Sequence, residues 1–76
     1  MRELVEFLAR RLVDSPEEVA VEEAVEDGAL VFRLRVAPDD VGKVIGRQGR
    51  LARALRTIVR AGSVREGRRI VLEIVG

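Results

Sequence analysis

Gly46-Arg47-Gln48-Gly49 is the stretch of this 76-residue chain best equipped for chemistry. Two glycines without Cβ let the backbone turn tightly and let a ligand approach its N–H groups closely. Arg47 and Gln48 project between them, one a cation, the other a neutral donor and acceptor. The segment from Arg50 to about Ala61 reads as a helix, so its first turn presents unpaired N–H groups and the positive end of the helix dipole, which suits phosphate. On that helix Arg50, Arg53, Arg56 and Arg60 fall within about 120° of one another. Backbone amides and guanidinium groups together can grip a sugar–phosphate chain without reading its bases. GxxG alone is a weak motif in a chain with 7 glycines, and a glycine-softened corner between packed helices would look the same. Its context adds weight: a strand upstream, apolar Val44-Ile45 leading in, and an arginine stripe leading out.

Other chemistries find little support. The chain has no His, Cys or Tyr, and its only hydroxyls are Ser15, Thr57 and Ser63, none with a base placed beside it by motif. No catalytic residue and no cofactor is expected. Glu17, Glu18, Glu22, Glu23, Glu26 and Asp27 scatter along a strand and turn without ligand spacing, so they read as a solvated acidic edge and no metal is expected. A phosphate-binding GxxxxGK[ST] loop is absent, since Gly49 is followed by Arg50 and Leu51.

The elements that must position the glycine pair are legible in outline. Leu4, Leu8 and Leu12, with Val5 and Phe7 beside them, predict a helix of about three turns that Asp14-Ser15-Pro16 stops. A loosely alternating run from Val19 to Val25 and a clean one from Ala29 to Val36 flank Asp27-Gly28, the signature of a two-residue hairpin. Glu23 falls in phase with Val19 and Val21, which predicts a bulge or an exposed strand end. Pro38-Asp39-Asp40 opens a short helix to about Ile45. In the longer helix Leu51, Ala54, Leu55 and Ile58 form the expected apolar side, and Gly62 the expected stop. A strand from Arg69 to Val75 closes the chain with Ile70, Leu72 and Ile74 on one face, its direction left open. The order α-β-β-α-α-β in residues 1–76 predicts a single two-layer α+β domain, a three-stranded sheet with helices on one face.

The net charge of +1 conceals a division. Residues 1–40 carry 5 basic and 11 acidic side chains, whereas residues 41–76 carry 9 basic and 2 acidic ones. No acid lies between Asp40 and Glu66. Such asymmetry points to a polyanionic partner for the basic half, although a solvated helix face paired with the acidic half would give the same count. Gln48 is the only side-chain amide and Lys43 the only lysine, beside 13 arginines.

"VIGRQG" followed by a helix resembles the K-homology (KH) signature VIGxxGxxI, and the element order is that of the type II KH fold. The likeness extends through "LVEFLARRLVDSPEEV", "FRLRVAPDDVGKVIGRQGRLARALR" and "LEIV", nearly the whole chain, and is strongest to the small stand-alone bacterial members. Ala52 departs from the signature, where many members carry Ile. The resemblance implies a non-catalytic protein that holds short single-stranded RNA, as an RNA chaperone or post-transcriptional regulator. Gly46 and Gly49 would shape the loop, and Arg47 and Gln48 would contact the sugar–phosphate backbone. Val44 and Ile45 would help form an apolar groove for bases, flanked by Lys43, Arg50 and Arg53 as phosphate contacts. It also implies a homodimer, or a heterodimer with a larger KH protein. With only Phe7 and Phe32 as aromatics, ring stacking is an improbable source of base affinity. Two other readings stay open: a helix-turn-helix DNA binder using the arginine helix, and a protein-interaction module. The amphipathic N-terminus lacks the apolar run of a signal peptide and nothing approaches a membrane span, so a cytoplasmic address is expected.

Overall fold

A computed structural model describes all 76 residues. The chain begins with α1 (Arg2–Arg10), a 3₁₀ turn at Pro16–Glu18, and the strands β1 (Ala20–Glu26) and β2 (Ala29–Arg35). A second 3₁₀ turn, Pro38–Asp40, runs into α2 (Val41–Ile45). One turn at Arg47–Gly49 separates α2 from α3 (Arg50–Glu66), and β3 (Ile70–Val75) ends the domain.

The hairpin forms as its Asp-Gly demands, with Asp27 at φ 52° and Gly28 at φ 79°, both left-handed as a tight two-residue turn requires. β1 and β2 pair antiparallel without a bulge, Val21 opposite Leu34 and Glu23 opposite Phe32. Glu23 is tolerated in the apolar phase because it lies on an edge strand and stays exposed. β3 pairs parallel to β2, with Phe32 beside Leu72 and Leu34 beside Ile74. The sheet order is therefore β1-β2-β3, and β3 has a free outer edge.

One sheet face carries the core: Val21, Phe32, Leu34, Ile70 and Leu72 meet Val5 and Ala9 of α1, Val44 of α2, and Leu55 and Val59 of α3. Apart from Phe32 it is aliphatic, as the composition required. The opposite face is tied by ion pairs. Arg35 reaches Glu22 at 2.8 Å, and Arg33 bridges Glu26 and, at 2.9 Å, Glu73. Hydrogen bonds from Arg33 to Glu26 first, then to Glu73, raise its pKa above the ordinary guanidinium value, so it stays charged.

Three expectations are corrected. α1 turns Val5 and Ala9 inward while Leu4 and Phe7 remain about half exposed, so only part of its apolar stripe meets the sheet. α3 buries Ala52, Leu55, Val59 and Gly62; of the expected set only Leu55 is buried. α3 is apolar over a wide arc, and the sheet takes the side whose small residues permit close packing. Gly62 is consequently no stop: it sits inside α3 with the Met1 Cε where a Cβ would fall, 2.1 Å away. The helix ends four residues later at Glu66 and is capped by Gly67 (φ 64°), where the N–H of Gly67 donates to Val64 O and that of Arg68 to Ser63 O.

Asp40, 2% exposed, is the buried polar side chain of the domain. Its carboxylate accepts the backbone N–H of Asp14 at 3.3 Å and of Ser15 at 3.0 Å, tying the α1–β1 connection to the start of α2. Asp40→Ala leaves both donors without a partner and should lower stability by about 2 kcal/mol, read as a reduced urea midpoint at unchanged m. A loss below about 0.5 kcal/mol would show that water replaces the carboxylate.

Candidate nucleic-acid interface

α2 is too short to present one face to several partners. Successive residues point 100° apart, so Lys43, Val44 and Ile45 take three directions. Val44, 0% exposed, is buried in the core and anchors α2. Ile45, 37% exposed, turns toward the cleft described below. Lys43 places its Nζ 3.5 Å from Asp14 Oδ2, in an acidic hollow shared with Asp39 and Asp40 and outside that cleft.

Gly46 then redirects the chain. Its N–H donates to Gly42 O at 2.9 Å, closing α2, and its φ of 78° with ψ of 172° is a conformation kept for glycine. A Cβ there would lie 2.8 Å from Leu51 Cγ and 3.0 Å from the Leu51 backbone nitrogen. Gln48 (φ 56°) and Gly49 (φ 73°) are both left-handed, which turns the chain into α3 within two residues. Gly49 donates its N–H to Gly46 O at 3.1 Å, holding the turn closed. It is also the N-cap of α3; the Arg50 N–H turns back onto Arg47 O and no side chain caps the helix, so the positive end of a 17-residue helix dipole faces the surroundings of Arg47 and Gln48 without a carboxylate or hydroxyl over it.

From this turn a cleft of about 700 Å³ runs between α3 and the free edge of β3. Ile45 and Gly49 close its loop end, Ala52, Arg53 and Arg56 form the α3 wall, and Ile74 stands opposite on β3. Ala52, the departure from the signature, is buried here and keeps the wall shallow. The cleft is strongly cationic. Arg47, Arg50, Arg53, Arg56 and Arg60 make no ion pair, whereas Arg10, Arg33 and Arg35 all do.

Of the residues expected at the site, the fold brings Ile45, Gly46, Arg47, Gln48, Gly49, Arg50 and Arg53 together around the turn and the cleft mouth. Val44 is corrected from groove wall to core, and Lys43 lies apart for the reason given above. Arg56, Arg60 and Ile74 line the cleft without having been assigned to it. The spacing 53-56-60 with no intervening acid was the available signal for the two arginines; Ile74 had none, because its place depends on the direction of β3.

A family model described as KhpA/KhpB, KH domain, matches residues 2–74. The chain belongs to the KhpA/KhpB family. Its element order and mixed sheet are those of a type II KH fold, and it is not an enzyme. It is 48% identical to a protein named RNA-binding protein KhpA from Clostridium perfringens, over 99% of this chain and 100% of that one. Proteins of the same name from Aquifex aeolicus (48%; 99% and 95% covered) and Treponema pallidum (49%; 96% and 91%) are similarly close. Among solved structures, Era in complex with MgGDPNP and nucleotides 1506–1542 of 16S ribosomal RNA superposes with a TM-score of 0.58 at 21% identity. The match covers 96% of this KH chain and 28% of Era, and shows a shared fold.

The two glycines of the turn should respond unequally to substitution. Gly46→Ala meets both a forbidden conformation and the Leu51 backbone, and is expected to cost about 3 kcal/mol. Gly49→Ala faces open space and should cost about 1 kcal/mol, for its left-handed φ alone. Urea denaturation of the two variants checks the order; equal losses would contradict the packing described.

Proposed function

We propose that this chain binds short single-stranded RNA in the cleft, chiefly through its phosphates. The observation that carries this reading is the set of unpaired arginines around a glycine turn that leads into a helix start with no side-chain cap. Arg47, Gln48, Arg50 and the amides of the turn hold the sugar–phosphate backbone at the loop end, with Arg53 beside them in the cleft. Gly46 and Gly49 permit the approach, and bases lie against Ile45 and Ile74. The RNA-binding names of the relatives support the ligand class. A helix-turn-helix reading is less well supported, because the arginine side of α3 borders a cleft walled by β3 and does not stand free for a major groove. With aliphatic walls and no ring to stack on, modest affinity and weak base preference follow, in keeping with an RNA chaperone or post-transcriptional regulator in the cytoplasm. No helix is long and apolar enough to cross a membrane.

A second surface favours a protein partner. Leu8 and Leu12 face Leu51, Ala54 and Ile58 of α3 across a shallow apolar hollow, with Leu4 and Phe7 exposed on α1 nearby. A second copy of the chain is the partner we assign to it, with a larger KhpB-like KH protein able to take the same place.

Replacing Arg47 and Gln48 together by Asp should weaken RNA binding at least about tenfold while thermal unfolding stays close to that of the parent. The parent should show a slope of log K against log salt of about −2 to −3, corresponding to three or four neutralised phosphates; a flat response would sink the phosphate mechanism. Phe7→Glu is expected to abolish self-association in sedimentation velocity and to leave RNA affinity per chain within about twofold. A parent chain that is monomeric throughout the micromolar range would overturn the dimer.

A further inference from the structure

A KH glycine loop clamps about four nucleotides. The cationic surface in this molecule does not stop where such a clamp would end. A second hollow of about 310 Å³ continues the cleft toward the α3–β3 junction, and the two share Arg56 and Arg60 as walls, so they form one trough. Arg69 closes the far end, beside Ser63. At 1.5 Å per residue, the arginines from Arg50 to Arg60 span about 15 Å of helix.

Packing does not account for this line of charge. Arg53, Arg56 and Arg60 are exposed and none has an acidic partner; Arg69 makes no ion pair either, although it also borders a hollow lined by Glu26, Asp27 and Glu73. Arg53 with Arg56, and Arg56 with Arg60, stand at like-charge spacings that destabilise an isolated helix. On the outer sheet face, by contrast, Arg33 and Arg35 are paired with Glu22, Glu26 and Glu73. An uncompensated row along a trough continuous with a helix start that has no side-chain cap calls for a linear polyanion.

We propose that Arg56, Arg60 and Arg69 form a second phosphate track, so that the bound strand runs from the glycine turn to the α3–β3 junction and exceeds four nucleotides. This rests on the RNA reading given above and extends it to the length of the ligand. The track holds phosphates and leaves base choice to the loop end. An acidic peptide would satisfy the charge but not the continuity with the loop, where amides and Gln48 suit a sugar–phosphate backbone.

The test uses the intact protein and oligouridylates of four, six, eight and ten nucleotides, titrated by fluorescence anisotropy at several salt concentrations. A four-nucleotide site on an eight-mer gains at most about fivefold from its extra registers, whereas the track should give about twentyfold or more and steepen the salt slope by about 1.4, for two further phosphates. Arg69→Ala, outside the cleft at the loop end, should remove most of that extra gain and keep tetranucleotide affinity within about twofold, with an unchanged thermal midpoint. A gain no larger than the register count, or an equal loss on the four-mer and the eight-mer, would overturn the track while leaving RNA binding intact. Displacement of the eight-mer by octaglutamate at equal charge concentration would also overturn it. A parent that binds none of the four oligomers overturns the RNA reading itself, and the track with it.

Discussion

Parallel pairing of β2 with β3 is the constraint on which the rest of this domain depends. Two parallel neighbours cannot be joined by a tight turn, so the chain leaving Arg35 must cross over the sheet before Ile70 can pair with Leu30. The crossover here is α2, the glycine turn and α3. The turn is the corner of that crossover, which explains why it must be so sharp. Gly46, in a conformation closed to other residues and pressed against Leu51, lets α3 start beside α2 instead of continuing from it. Asp40 secures the entry to the same corner by holding the backbone of Asp14 and Ser15.

The crossover also creates the cleft. α3 lies on the sheet through Ala52, Leu55, Val59 and Gly62, and β3 beneath it is an edge strand, so a trough remains between helix and edge. A helix start with no side-chain cap lies at one end of this trough, and its walls carry arginines. On the outer face of the sheet Glu22 and Glu26 of β1 pair with Arg35 and Arg33. Exposed pairs of that kind add little stability. They do keep Glu22 and Glu26 engaged with Arg35 and Arg33 at the outer sheet face, while no acid lines the cleft itself, so its arginines keep their field for a polyanion.

Much of the plan could be read from residue types. Asp27-Gly28 demands positive φ at both positions, and the hairpin follows. Gly46 and Gly49 announce the corner, and the charge division announces the basic side. The failures share one cause. α3 is apolar on more than one side and α1 carries a wide stripe, and periodicity cannot say which arc faces a sheet whose position it does not contain. Leu51 and Ile58 looked like core because leucine and isoleucine usually are, yet the small residues Ala52 and Gly62 permitted the closer contact. Gly62 looked like a stop for the same reason: a glycine inside a helix declares its packing role only when Met1 is seen lying over it.

By itself, the sequence determined the local chemistry: the hairpin, the glycine corner, the order of elements and a row of arginines without neighbouring acids. These rest on backbone sterics and on spacing along one chain, which need no partner. The tertiary structure alone decided that β3 runs parallel to β2, that Val44 and Ala52 are buried while Leu4 and Phe7 are not, and that Arg56 and Arg60 line a cleft with Ile74. Each of those depends on which surfaces meet across the sheet. Long-range packing selects one arc of each helix for burial, and the arcs left over become the functional faces.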